Sequence, residues 1–299
     1  MNLNFSGHET FPFRQLWAYK ASELLKKSKS PFTKDRDQSM MNMGLGANML
    51  KSMSFWIQSS ELIKGNNQGE YCLQPLGEVM LDENKGDPYL ERIESLWVIH
   101  HKLATNKMKN SSFYWIFNMN NNMVFSHDDF LRGVNQWYEK EEDLDIESRP
   151  TMDTLKKDFN VTIGMYTPKS NKEDFEDSVQ YPFWSLGLLK QAHGLKQNYQ
   201  LVKRSVCDIP SSIFNYTLIE YLRLSNQKEA VTFDNLLNDA NSPGRILQLS
   251  EHPLRIYLEN VEKELKGAYV FDDTAGQRLL YIKDDSLDGL DYLKKKVYK

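Results

Sequence analysis

Apolar positions fall at helical spacing through most of this chain, and strand-like alternation is short and rare. The clearest helical stretch runs from Ala47 to Leu62 without a proline or glycine. At 100° per residue, Met49, Leu50, Met53, Trp56 and Ile57 share one face. Asn48, Lys51, Ser52, Phe55, Gln58 and Ser59 share the other. A shorter helix is expected around Arg36 to Met43, with Gly44 and Gly46 supplying a tight turn between the two. Gly65-Asn66-Asn67-Gln68-Gly69 is turn chemistry, so Glu70 to Leu73 can pair back as a small hairpin that Gln74-Pro75-Leu76-Gly77 closes. An opening helix is predicted from Arg14 to about Lys29, ended by Ser30-Pro31.

Further along, Asp87-Pro88 reads as a helix start, with the helix reaching about Asn106 and carrying Leu90, Ile93, Trp97, His100, His101 and Ala104 on one broad face. Phe113-Tyr114-Trp115 is most simply buried. Ser126-His127-Asp128-Asp129 caps a helix to about Tyr138. Glu139 to Pro150 reads as an exposed acidic joint, Met152 to about Tyr166 as a helix, Lys169 to Asp177 as a polar loop, and Pro182 to Lys190 as a short helix. The C-terminal part repeats the opening pattern: helices at Ser212–Leu224 and Phe233–Ala240, a short one begun by Ser242-Pro243-Gly244-Arg245, and a long one from Glu251 to Lys266. Its apolar stripe is Leu254, Tyr257, Leu258, Val261 and Leu265. Tyr269-Val270-Phe271 and Leu279-Leu280-Tyr281-Ile282, joined across Asp272 to Gly276, make the strongest hairpin signal in the chain.

The expected fold is therefore mainly α and multi-domain: a winged-helix unit over 1–85, a helical middle over 86–205, and a second winged-helix unit over 206–299. With 299 residues the chain can bury a sizeable core. No apolar run approaches the roughly 18 residues of a membrane helix. There is no basic-then-apolar leader pattern, so a cytoplasmic protein without a membrane partner is expected. Cys72 and Cys207 lie far apart and read as free thiols.

Charge changes the picture locally. The net charge of −4 argues against a non-specific polyanion binder. Residues 1–65, however, hold nine Lys or Arg against five Asp or Glu, whereas 139–147 hold six acids and one Lys. On the Ala47 helix, small hydrogen-bonding groups, one cation and an aromatic suit a DNA groove: neutral donors and acceptors read base edges while a lysine takes a phosphate. Arg36, Asn48, Lys51, Ser52 and Phe55 are the candidate DNA contacts there. Arg245 and Arg255 are their counterparts in the C-terminal unit, although Glu259 and Glu262 beside Arg255 suit a protein contact equally well. For the Ala47 stretch, an ordinary amphipathic helix followed by a loop is the alternative.

Asn4 to Arg14 is the most unusual peptide. Phe5, Phe11 and Phe13 can anchor it while Gly7 and Pro12 keep it irregular, which would leave His8, Glu9 and Arg14 as polar groups on a fixed loop. In phosphodiester chemistry His8 could serve as general acid or metal ligand, Glu9 as ligand or base, and Arg14 as a phosphate clamp, with His100 as a further contributor. The alternative is a structural clasp. Such chemistry admits a divalent ion, Mg²⁺ or Mn²⁺. No known nuclease, phosphate-loop, dinucleotide or zinc-cluster motif is present.

Several of these segments together resemble a bacterial domain-of-unknown-function family found in DNA phosphorothioation gene clusters. The resemblance runs through Phe5 to Arg14, Gly44 to Asn48 with Lys51, Ser52 and Trp56, Asp87-Pro88-Tyr89 with Leu96, Trp97 and His100, Leu155 to Asp158, and Ser242 to Arg245. It implies binding to double-stranded DNA and nicking of a strand in a single-stranded phosphorothioation antiphage system. The partners implied are a cysteine desulfurase and an ATP-dependent sulfur-inserting enzyme. It assigns no catalytic residues. A non-catalytic recognition and recruitment module, or a transcriptional regulator, are the readings that compete with it.

Overall fold

The computed structural model describes residues 2–141, 143–145, 148–167, 181–194, 197–225, 227–274 and 276–299. They are mainly helical, with small antiparallel sheets. Two compact units form: Met1–Ile116 with Asn120–Gln200, and Phe117–Met119 with Leu201–Lys299. The segment expected over 1–85 and most of that expected over 86–205 thus share one unit, while residues 117–119 and 201–205 go with the other.

The first unit begins with α1 (Trp17–Lys27), α2 (Arg36–Met43) and α3 (Ala47–Ser59). Gly44 ends α2 in the left-handed conformation at φ 61°, where its N–H reaches the Met40 carbonyl. β1 (Ile63–Gly65) pairs antiparallel with β2 (Tyr71–Leu73), Lys64 facing Cys72. Pro75 does not simply close this hairpin. It starts a short helix, α4 (Pro75–Met80), whose Gly77 lies against the Leu62 carbonyl so closely that a Cβ there would sit 2.1 Å from the oxygen.

The Asp87 expectation needs correction. The long helix α5 spans Ile93–Thr105 and starts five residues later than the proline suggested. Leu90 turns left-handed at φ 54°, which breaks the helical path. Asp87 accepts hydrogen bonds from the N–H groups of Glu91 and Arg92 at 2.9 and 2.8 Å, and so caps the bend before the helix.

Next come α6 (Ser111–Tyr114), which widens into a π turn over Trp115–Met119, β3 (Val124–Ser126), α7 (His127–Lys140) and α8 (Met152–Tyr166). Ser126 and Asp129 form the reciprocal capping box that their spacing predicts. The acidic joint is partly docked. Glu141 accepts from Lys107 at 2.6 Å and from the Trp137 indole at 2.8 Å, and Leu144 is buried. The polar loop expected over Lys169–Asp177 lies outside the described residues. Pro182–Leu186 forms one 3₁₀ turn, after which the chain extends as β4 (Leu189–Gln191) instead of staying helical. With β5 (Asn198–Leu201) it builds a sheet ordered β3-β5-β4 that the pattern did not predict.

Aromatic rings thread the core of this unit. Phe13 meets Phe183 at 5.4 Å, Phe183 meets Tyr166 at 5.6 Å, Tyr166 meets Phe113 at 6.0 Å, and Phe113 meets Trp56 at 5.7 Å. Each fully buried ring of this size stabilises by about 1.5–3 kcal/mol. The run joins the opening loop and α3 to α6 and α8.

Helix α5 buries both of its histidines, with His100 Nδ1 2.6 Å from the Tyr166 hydroxyl. Burial holds His101 well below its ordinary value of 6.5, with smaller effects in the same direction from Lys102 and His100. Below pH ~6.5 the unfolded chain therefore takes up a proton that the folded chain refuses. Stability should be insensitive to this group above pH 7 and fall below pH ~6.5, by up to about 1.4 kcal/mol per pH unit. Melting curves from pH 7.5 to 5.5 check this: His101→Gln should flatten the acid slope, and an unchanged slope assigns it to other groups.

The second unit carries α9 (Ser211–Ser225), β6 (Ala230–Thr232), α10 (Phe233–Asn238), α11 (Pro243–Ile246) and α12 (Glu251–Glu264). The hairpin β7 (Tyr269–Thr274) and β8 (Gln277–Ile282) follows, in register from Tyr269 opposite Ile282 to Thr274 opposite Gln277. β6 adds to β8 as a third strand. The closing Lys294-Lys295-Lys296 lies on α13 (Gly289–Lys296), capped by Asp288. Helix α12 buries the apolar stripe that its spacing predicts.

Candidate functional site

The opening loop is pinned by its own backbone and by α3. Gly7 adopts φ 107° under the Phe55 ring, which a Cβ would approach to 2.6 Å. Glu9 and Thr10 follow in the left-handed region at φ 45° and 65°. Such positions cost on the order of 1–3 kcal/mol each and persist only where neighbours over-determine them. Here the Phe11 N–H donates to the His8 carbonyl at 2.8 Å and the Thr10 N–H to His8 Nδ1 at 3.1 Å. The Phe11 carbonyl accepts from Ser52 Oγ at 3.1 Å and from the Trp56 indole at 2.8 Å.

His8 points inward. Its ring stacks on Trp56 with centroids 5.7 Å apart and planes 11° from parallel. Because Nδ1 accepts from Thr10, the Nε2 proton faces Asp158 Oδ1, 2.6 Å away. The other Asp158 oxygen accepts from Ser112 Oγ. Serine, aspartate and histidine make up a familiar hydrolytic triad, but the order here is different. The serine donates to the aspartate and not to the imidazole, so no base activates it. All three side chains are buried. The geometry is that of a clasp between the loop, α6 and α8.

The three polar residues expected to converge on the loop instead diverge. Glu9 Oε1 lies 3.6 Å from Lys51 Nζ across a largely exposed pair, worth little in stability. The Arg14 guanidinium sits 5.9 Å over the Trp17 ring, and its Nε is shielded from solvent without a hydrogen-bond partner. His100 belongs to the Tyr166 contact.

On the α2–α3 face, Arg36, Asn48 and Lys51 are exposed, Arg36 lying 3.8 Å from Asp37. Ser52 is not part of this surface: it is buried and holds the Phe11 carbonyl. Phe55 is half-buried beneath Gly7, with its edge on His8 and Trp56. Helical periodicity assigned both to the outer face because it cannot see a loop laid along that side of the helix. What remains outward is the first turn and a half of α3. Gly46 opens that helix with no side-chain cap and no acid in the first turn.

In the second unit Arg255 pairs with Glu259 at 2.9 Å and Asp273 at 3.2 Å. Arg245 Nε donates to the Asn238 carbonyl at 3.0 Å, and burial lowers its pKa. Nearby Lys203 is driven down to about 8 by burial and by Arg245, its Nζ 3.4 Å from the carbonyls of Gly244 and Leu249. Both candidate arginines therefore have intramolecular partners, Arg245 at the turn after α10 and Arg255 between α12 and β7.

Among the described residues no three His, Cys, Asp or Glu side chains gather as a metal site, and no helix is long and apolar enough to cross a membrane. The residues that sequence reasoning missed are Ser112 and Asp158 as partners of His8. Asp158 lies within a family-like segment, but nothing in one sequence pairs residues 150 positions apart.

The chain belongs to the family described as protein of unknown function DUF4007, whose model matches residues 5–298. No curated protein matches. Among solved structures it is similar to an SspB crystal structure, at 24% identity and a TM-score of 0.83, covering 98% of this chain and 87% of that one. A magnesium ion-bound SspB crystal structure gives 23% identity, a TM-score of 0.82 and the same coverage. At this identity the likeness establishes a shared fold.

Proposed function

We propose that this chain binds duplex DNA through α3 and serves a DNA phosphorothioation system, with strand nicking as its activity. The observation that carries DNA binding is the start of α3: an uncapped helix N-terminus with Asn48 and Lys51 exposed. Orphan N–H groups and a lysine favour phosphate there, and an amide can pair with an adenine edge. In this reading α2, the Gly44–Gly46 turn, α3 and the β1–β2 hairpin act as a winged helix, with α3 in the major groove. The second unit repeats the arrangement with β6 added to its hairpin. Because Arg255 is already paired with two carboxylates, that unit suits protein contact better, and the sulfur-handling partners are its candidate ligands. The resemblance to phosphorothioation proteins supports nicking and a cytoplasmic setting.

One SspB structure is magnesium ion-bound, but among the described residues no three His, Cys, Asp or Glu side chains come together to hold such an ion. The second reading rests on the α3 surface alone: a recognition module that recruits the modifying enzymes without cutting. Purified protein on supercoiled plasmid, with and without Mg²⁺ or Mn²⁺, separates the two. Open-circle product supports nicking, duplex binding without nicking supports recruitment, and no duplex binding overturns both. For the contact itself, Lys51→Ala should weaken duplex binding across sequences and lower the salt slope by roughly one, and Asn48→Ala should relax sequence preference. Unchanged binding in both variants, at unchanged melting temperature, removes α3 from the interface.

A further inference from the structure

Beside the α2–α3 turn lies a cleft of about 420 Å³, entirely within the first unit and walled by α1, Leu45 and the Tyr89–Glu91 segment. Two cations line it, Arg14 and Lys20. Neither has a carboxylate partner among the described residues: Lys20 Nζ reaches only the Met43 carbonyl, at 3.3 Å, and Arg14 Nε is shielded and unpaired. The shielded Nε–H is out of reach of a ligand, but the guanidinium charge faces the cleft lining without a carboxylate partner, and an anion in the cleft would offset it. The remaining walls are open and mixed: Leu16 and Tyr89, 50% and 44% exposed, supply apolar surface, and Gln15 and one carboxylate, Glu91, share the lining, so the two cations outnumber the acid. Tyr89 is held in place. Its ring lies 4.6 Å from Tyr19, and Gln15 Nε2 donates to the carbonyls of Tyr89 and Leu90, at 3.1 Å each.

We propose that this cleft receives one nucleotide of a single DNA strand, its base against Tyr89 and Leu16 and its phosphate on Arg14 and Lys20. An inorganic anion would leave the apolar walls unused, and an uncharged aromatic would leave both cations unpaired; a nucleotide answers both. The cleft is also tied to the proposed DNA face. Leu45 sits between Gly44 and Gly46, and Lys20 grips the last residue of α2. The inference rests on the DNA-binding reading but is tested apart from it. A strand running past α3 would place one unstacked nucleotide here, its base stacked on an aromatic and its phosphate on the cations.

The test uses the full chain and two fluorescein-labelled strands of equal charge: a hexamer of deoxythymidylate and the same backbone with abasic tetrahydrofuran residues. Anisotropy should show the thymidylate strand binding roughly five- to a hundredfold tighter, the range expected for stacking one base. Tyr89→Ala should erase that ratio, Tyr89→Phe should keep it, and Lys20→Gln should weaken both strands alike. Leu16→Ala, at an exposed site, is the second variant should Tyr89→Ala lower the melting temperature. Equal binding of the two strands, no binding of either, or an unchanged ratio in Tyr89→Ala and Leu16→Ala overturns the proposal. Binding only of an acidic aromatic peptide also overturns it and gives the cleft to a protein. Loss of duplex binding in Lys51→Ala with the thymidylate ratio intact separates the two sites. Absence of any duplex binding, with that ratio present, defeats the α3 reading and leaves the cleft.

Discussion

Asp158→Ala should lower the melting temperature of the first unit by roughly 10 °C. The carboxylate is buried and accepts from two buried donors, His8 Nε2 and Ser112 Oγ. Removing it strands both, at about 1–3 kcal/mol each, and leaves a void where α6, α8 and the loop meet. A total of about 3–5 kcal/mol converts at about 2–4 °C per kcal/mol for a unit of this size. Asp158→Asn should cost less, because its amide oxygen still accepts from His8. His8→Ala should be nearly as damaging, since it also removes the ring stacked on Trp56. Melting and DNA binding measured on the same preparations decide the role of the cluster. A large loss of function at unchanged melting temperature would show that His8 acts on a ligand and not on the fold.

The second large effect is expected at Gly77. Alanine is a better helix former than glycine by about 1 kcal/mol, so Gly77→Ala would stabilise an isolated helix. Here the new methyl would stand 2.1 Å from the Leu62 oxygen, a backbone atom that cannot rotate away. Leu62 also accepts from the Gln74 N–H at 2.9 Å, so moving it shifts the base of the β1–β2 hairpin. A net loss of about 2–3 kcal/mol is expected from such overpacking. Under native conditions, proteolysis of Gly77→Ala should first cut within residues 62–81, and its duplex binding should weaken if the hairpin acts as the wing. Unchanged melting would mean that the short helix slides away at little cost.

Helices set by local signals were legible in the sequence. Ser126 and Asp129 announce α7, Gly44 ends α2, and the stripe from Leu254 to Leu265 orients α12, because each depends on residues within a turn or two. The β7–β8 hairpin was equally plain. What one sequence hid was set by distant partners. The strands β3, β4 and β5 are three or four residues long, too short to declare a period. Leu90 in the left-handed region moved the start of α5 by five residues. For the candidate site, the opening peptide was recognisable as an anchored loop, and Asn48 and Lys51 do face outward. Ser52 and Phe55 were misplaced because the peptide that covers them lies some forty residues upstream. The same blindness to distant contacts hid Asp158 and Ser112 behind His8. The Arg14 cleft needed the Tyr89 segment, 75 residues away, to take shape.

The contact between His8 and Asp158 spans 150 positions. On the ribosome the opening peptide therefore emerges long before its partner is made: at about 5–20 residues per second, Asp158 follows His8 by roughly 8–30 s. Phe5 waits for the Phe130 ring of α7, and Phe13 waits longer still, for Phe183 beyond α8. The first unit cannot finish folding segment by segment from its N-terminus. A chain truncated before α8 would leave His8 without Asp158 and Phe13 without Phe183, so its phenylalanine-rich loop would offer apolar surface to chaperones and proteases.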